Sequence, residues 1–208
     1  MKPDALILAI ETSGAAGSVA LLRGANTLAE RRFDPGMRGG NLLHPGVVAV
    51  LEAAGGASPD LVAAGIGPGS YTGARIGVVF AKMFAFARGL PLVGVCALEA
   101  VACRVLPAGR SAVLMTANPD RVYAAIYDAR GDKPADIVRE PAFVSRSEFL
   151  AGLGGGEAVI ELPPEQVWAA DVGRVAWLRA CAGLAPDDPG PLEPLYLQAP
   201  SPERIASA

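Results

Sequence analysis

The chain has 208 residues, of which 51% are hydrophobic and 19% charged, with a formal net charge of −3. This balance excludes the polar, highly charged composition of a disordered chain and leaves length for one large domain or two small ones. No Lys/Arg run or basic stripe occurs, which argues against a strong electrostatic grip on nucleic acid.

The 3 cysteines, Cys96, Cys103 and Cys181, form no C-x-x-C pair, and the first residues do not read as a signal peptide. Both features point to a reduced, cytoplasmic protein, with Cys96 and Cys103 as small buried hydrophobes. The run Ala5-Leu-Ile-Leu-Ala-Ile10 is continuously apolar, as in a strand covered on both faces, and Glu11 interrupts it well short of a membrane span. The strand ends in the hydroxyl-rich turn Glu11-Thr-Ser-Gly14. Ser18 to Leu22 and Thr27 to Arg32 flank Arg23-Gly-Ala-Asn26 and read as a hairpin, so the first three strands form an antiparallel meander.

Phe33 to Asn41 reads as loop, and a helix is predicted from about Pro45. Leu43, Val47, Val50, Leu51 and Ala54 lie on one of its faces and Gly55 is its stop. A fourth strand, Leu61 to Ile66, feeds Gly65-Ile-Gly-Pro-Gly-Ser-Tyr-Thr-Gly-Ala-Arg-Ile-Gly77. Glycines so dense allow close backbone approach, and Ser70 and Thr72 are suited to cap a helix beginning near Gly73. The spacing fits neither a P-loop nor G-x-G-x-x-G. Composition leaves two readings open, an anion cradle at a helix N-terminus or a structural strand-to-helix turn.

The helix after the loop has little polar surface. Gly73, Gly77, Ala81 and Ala85 form a stripe at i, i+4, i+8 and i+12, and Arg75 and Lys82 are its charges before Arg88. Such a helix is either a central core helix or one packed on its own sheet that offers a second face to a partner. Pro91 to Val95 is a fifth strand, completing the β-β-β-α-β-α-β order of a ribonuclease H-like half-domain.

Past residue 100 the pattern partly restarts. Strands are predicted at Ala112 to Thr116, Val122 to Asp128 and Ile137 to Val144, and Ser145-Arg-Ser-Glu148 resembles a capping box before a short helix. A second helix runs from Trp168 to Ala182, and the proline-rich tail from Pro186 to Pro202 is irregular apart from Leu195-Tyr-Leu197. The glycine loop is not repeated.

An acid-Thr-Ser turn after the first strand, the glycine loop, a long apolar helix and Pro91-Leu-Val-Gly-Val95 together resemble the TsaB (YeaZ) family. That family takes part in the threonylcarbamoyladenosine modification of tRNA. The match is strong from Ala5 to Ala100 and weak beyond about Tyr127, with Pro194-Leu-Tyr-Leu197 matching the family's closing strand. The resemblance implies an α/β protein of the actin/Hsp70/sugar-kinase (ribonuclease H-like) fold. Its first lobe would span residues 1–100, and a smaller second lobe residues 101–208.

The resemblance also implies a subunit that pairs with its catalytic paralogue TsaD, alongside the ATPase TsaE. Homodimers can form when it is alone, and tRNA is met only through the complex. The family's pairing helices place that interface on Val47, Leu51, Gly73, Gly77, Val78, Ala81, Lys82 and Ala85. A weak or relic nucleotide cleft falls on Glu11, Thr12, Ser13, Gly67, Gly69, Ser70, Thr72 and Gly73. Three departures stand out: Glu11 replaces a common Asp, Gly39-Gly40 replaces a His-Ser pair, and Met115 to Tyr123 departs from the usual second-lobe motif.

The residues offer little chemistry of their own. The one histidine, His44, stands beside Pro45 with no H-x-x-x-H partner, and reads as a helix-end or surface residue. Ser13 and Ser70 have no histidine base set by any motif. A phosphotransferase would need a second acid near the phosphates, and the glycine loop holds none. The expectation is a non-catalytic subunit with no metal and no required cofactor, in which weak ATP or ADP binding is tolerated. The alternative is an active small-molecule kinase or ATPase of the same fold that uses Glu11.

Overall fold

The computed structural model describes residues 2, 4–33, 39–106, 108–163 and 166–198. The first sheet takes the order β3-β2-β1-β4-β5, from β1 (Leu6–Glu11), β2 (Ser18–Arg23), β3 (Asn26–Arg32), β4 (Leu61–Gly67) and β5 (Leu92–Cys96). The first three strands pair antiparallel, while β4 joins β1, and β5 joins β4, in parallel. This is the ribonuclease H-like sheet expected from the element order.

Both faces of this sheet are covered, which is why β1 reads as an unbroken apolar run. Leu6, Leu8 and Ile10 point to α1 (Gly39–Ala53) and α2 (Tyr71–Arg88), and Ile7 and Ala9 point to α5 (Ala169–Cys181). Helix α1 begins at Gly39 rather than at Pro45, which lies inside it. Pro45 removes its own N–H from the ladder, and Leu43, Val47 and Val50 pack into the core on either side of it.

The second sheet has the order β8-β7-β6-β9, built from β6 (Ala108–Thr116), β7 (Arg121–Arg130), β8 (Asp136–Ser145) and β9 (Ala158–Leu162). An antiparallel meander is again followed by a parallel strand. The second lobe thus repeats the first lobe's strand order without a fifth strand, the restart and reduction anticipated from the sequence.

Two elements escaped the sequence reading. Strand β9 is short and solvent-exposed at most positions, and α3 (Ala97–Val105) carries no polar face. Helix α3 is a wedge between the sheets: Ala100 and Cys103 pack into the first core, and Leu98, Val101 and Ala102 into the second. A cut after residue 100 therefore falls inside α3, and α5, from the far side of that cut, packs its Val172, Val175 and Ala176 on the first sheet.

Arg179 of α5 locks this arrangement by bonding Glu99 of α3 at 2.5 Å and the Gly94 carbonyl at 2.8 Å. Burial pushes the Glu99 carboxyl up, while the Arg179 charge pulls it down. Short α4 (Arg146–Ala151) starts where expected, with the Ser145 hydroxyl accepting from the Glu148 N–H.

The closing strand expected at Pro194 to Leu197 is not a strand. The tail instead runs along the outer edge of β5 and the glycine loop. Its strand-like pairing with the first sheet, among the described residues, consists of a bridge from Asp187 to Leu92 and one bond from the Leu195 N–H to the Ile66 carbonyl. Prolines 186, 189, 191 and 194 supply no N–H, so a continuous ladder cannot form there.

Candidate functional site

The turn after β1 and the glycine loop after β4 meet, as the sequence suggested, but they fill one another. The Thr12 hydroxyl donates to the Gly73 carbonyl at 2.7 Å, and the Ser70 N–H donates to the Ser13 carbonyl at 2.6 Å. The Ser70 hydroxyl caps α2 by accepting from the Gly73 N–H. A methyl group on Gly73 would stand 2.0 Å from the Thr12 carbonyl oxygen, and one on Gly65 would stand 1.9 Å from Glu11 Oε2. The glycines are spaced to admit Glu11, Thr12 and Ser13 of the chain itself. The close backbone approach that these glycines allow is made by the chain's own turn.

Glu11, Thr12 and Ser13 are all buried. One Glu11 carboxylate oxygen accepts from the Ser13 N–H, and the other has no hydrogen-bond partner among the described residues. Burial pushes the Glu11 carboxyl above its ordinary range, against the pull of the Ser13 hydroxyl and the N–H groups of Ser13, Gly14 and Thr12. Gly67 is buried with them and Gly69 half-buried, while Ser70 and Thr72 are exposed. The expected cleft residues Glu11, Thr12, Ser13, Gly67, Gly69, Ser70 and Gly73 therefore come together as a closed turn, and Thr72 lies apart on the outer side of α2.

The residues assigned to a partner surface also need correction. Val47, Gly77, Val78, Ala81 and Ala85 are buried, and a methyl on Gly77 would lie 2.2 Å from the Thr12 hydroxyl. Leu51 is half-buried against the same core. Gly73 rests on the Thr12 carbonyl, and Lys82 donates to the Gly190 and Leu192 carbonyls of the tail at 3.0 and 3.1 Å. Small side chains let α2 lie close on its own sheet, so the small-residue stripe is the inner face.

The outer face carries the large residues. Tyr71, Arg75, Val79 and Met83 follow one line at four-residue spacing, and Phe86 extends it. Val79 is 49% exposed, Met83 67% and Phe86 86%. Together with Leu43 of α1 and Thr72, Ile76 and Phe80 of α2, this line borders an apolar groove of about 470 Å³ between the two helices. The exposed residues and the groove beside them form one apolar outer face. The signal was present in the sequence as large residues on the side of the helix nearly opposite the glycines.

His44 is exposed in α1 rather than at a helix end. Among the described residues no group of three or more His, Cys, Asp or Glu side chains is arranged to hold a metal ion, and no helix is long and apolar enough to cross a membrane.

The two sheets, their shared strand order and the α3 wedge define a two-lobed protein of the actin-like, ribonuclease H-related class. YeaZ from Pseudomonas aeruginosa has this architecture, with a TM-score of 0.75 and 24% identity over 93% of this chain and 100% of that one. Residues 42–170 match the family described as "TsaD: tRNA N6-adenosine threonylcarbamoyltransferase". The tRNA threonylcarbamoyladenosine biosynthesis protein TsaB of Escherichia coli is 36% identical over 157 residues, 70% of this chain and 68% of that protein. An uncharacterized protein of Mycobacterium tuberculosis is 32% identical over 207 residues, 96% of this chain and 95% of its own. The chain belongs to the TsaB (YeaZ) family.

Proposed function

We propose that this protein is a cytoplasmic, non-catalytic subunit of the machinery that installs threonylcarbamoyladenosine in tRNA. It would associate with its TsaD-type paralogue through the outer face of α1 and α2 and support that enzyme's activity. The observation that carries this reading is the exposed apolar line of α2 and the groove beside it, on a chain of the TsaB family. The closed Glu11–Ser13 turn supports a non-catalytic role, because the Ser70 N–H and the Gly73 carbonyl of the loop bond the turn, and Glu11 packs against Gly65. No cofactor of its own is needed in this reading. TsaE joins the complex, self-association of the free protein uses the same face, and tRNA is met through the assembly. A kinase of the same fold would need Glu11 to face a phosphate, whereas its carboxylate lies over Gly65.

The test is light scattering of the protein mixed with the same organism's TsaD-type protein. A one-to-one complex is expected from the natural chain, and Met83→Arg should weaken it by about a hundredfold while melting at an unchanged temperature. An intact complex with folded Met83→Arg would remove the outer face from the interface.

A further inference from the structure

The tail from Asp187 to Gln198 is fixed to the first lobe at successive points. Asp187 bonds Leu92 and Gly94 on the outer strand β5, with its carboxylate accepting from the Gly94 N–H at 2.7 Å. Lys82 of α2 holds the carbonyls of Gly190 and Leu192, and the Leu192 side chain packs into the core beneath α2, over Gly94. The Leu195 N–H bonds the Ile66 carbonyl at the entry to the glycine loop, and Gln198 reaches the Tyr123 hydroxyl of the second sheet at 3.1 Å.

Between those anchors Tyr196 stacks on Tyr71, the first residue of α2, with ring centroids 4.5 Å apart and an interplanar angle of 26°. Tyr71 is 38% exposed and Tyr196 39%. The exposed Arg75 guanidinium stands 5.6 Å from the Tyr71 ring centroid. Among the described residues no carboxylate pairs with Arg75. Tyr71 and Arg75 both border the apolar groove between α1 and α2.

Resting on the reading above, we infer that the pairing surface does not end with the helices but continues onto the tail. Tyr196, Tyr71 and Arg75 form a composite corner that receives a carboxylate-bearing apolar segment of the TsaD-type paralogue. The chemistry is that of interface anchors. Two amphipathic rings held rigid by stacking present large area at small entropic cost, and an unpaired guanidinium calls for a carboxylate at the rim. The anchors at Asp187, Lys82 and Leu195 hold Tyr196 in place before binding, so its ordering is not charged against association.

The experiment is titration calorimetry of the full chain with the same organism's TsaD-type protein, with Met83→Arg as control. Tyr196→Ala should weaken binding about tenfold and leave the melting temperature in place, since the ring is exposed on one side. Arg75→Glu should weaken it more, about thirtyfold at low ionic strength, with a deficit that shrinks at about 0.5 M salt. If Met83→Arg destroys binding while Tyr196→Ala binds as the natural chain does, the corner is overturned and the helical interface stands. If Met83→Arg binds normally, the helical interface falls and the corner with it. Should Tyr196→Ala melt early, Arg75→Glu decides in its place, and unchanged affinity there overturns the proposal.

Discussion

Along α2, the line Gly73, Gly77, Ala81, Ala85 and the line Tyr71, Arg75, Val79, Met83 lie on nearly opposite sides of one helix. The first touches the chain's own sheet and the Thr12–Ser13 turn, and the second faces outward. Small side chains mark where backbone approaches backbone, and here that neighbour is the protein itself. Large apolar side chains left in water, on the other side of the helix, form the face proposed for a partner. Hydrophobicity along the helix does not separate the two lines, but side-chain size and burial do.

The sharpest way to break this comparison is to load the inner face. Ala81→Arg would bury a guanidinium with no partner in the core between α2 and the sheet, at a cost of about 4 kcal/mol or more, enough to unfold many domains of this size. Urea denaturation checks this, and near-natural stability would show that the inner face is not where the structure places it. Gly73→Ala comes next. Its methyl meets a backbone carbonyl, so a loss of about 3 kcal/mol is expected even though alanine is the better helix former by about 1 kcal/mol. Met83→Arg on the outer face, by contrast, should stay within about 0.5 kcal/mol of the natural chain in the same measurement.

Beneath the inner face, Glu11 gives a pH signature. Its carboxyl is raised in the folded chain by burial, so the native state holds its proton more firmly than the unfolded state does. The resulting stability is fully present below the ordinary glutamate range and is lost as pH rises through the raised folded value. Glu11→Gln removes that titration, so its melting temperature should gain on the natural chain as pH rises above the ordinary glutamate range. A constant difference as pH rises would show that Glu11 does not titrate with folding. The smallest expected effect is Ser70→Ala, which removes the α2 cap and should cost about 1 kcal/mol by thermal unfolding, with the outer face and its partner affinity unchanged.

The sequence by itself determined most of the first lobe. The unbroken run in β1, the Arg23–Asn26 hairpin and the Gly65–Gly77 loop each follow from local chemistry, namely two-sided burial, turn residues and close backbone approach. The capped start of α4 at Ser145 was legible for the same reason. Tertiary structure alone decided which way α2 faces, because a glycine stripe looks the same whether a neighbouring sheet or another protein lies against it. It also decided that Glu11 turns inward and that α3 is a wedge between two cores. The tail is the last case: prolines told that it was irregular, and only the distant partners Lys82, Ile66 and Tyr71 fix where it runs, contacts separated too far along the chain for any local pattern to record.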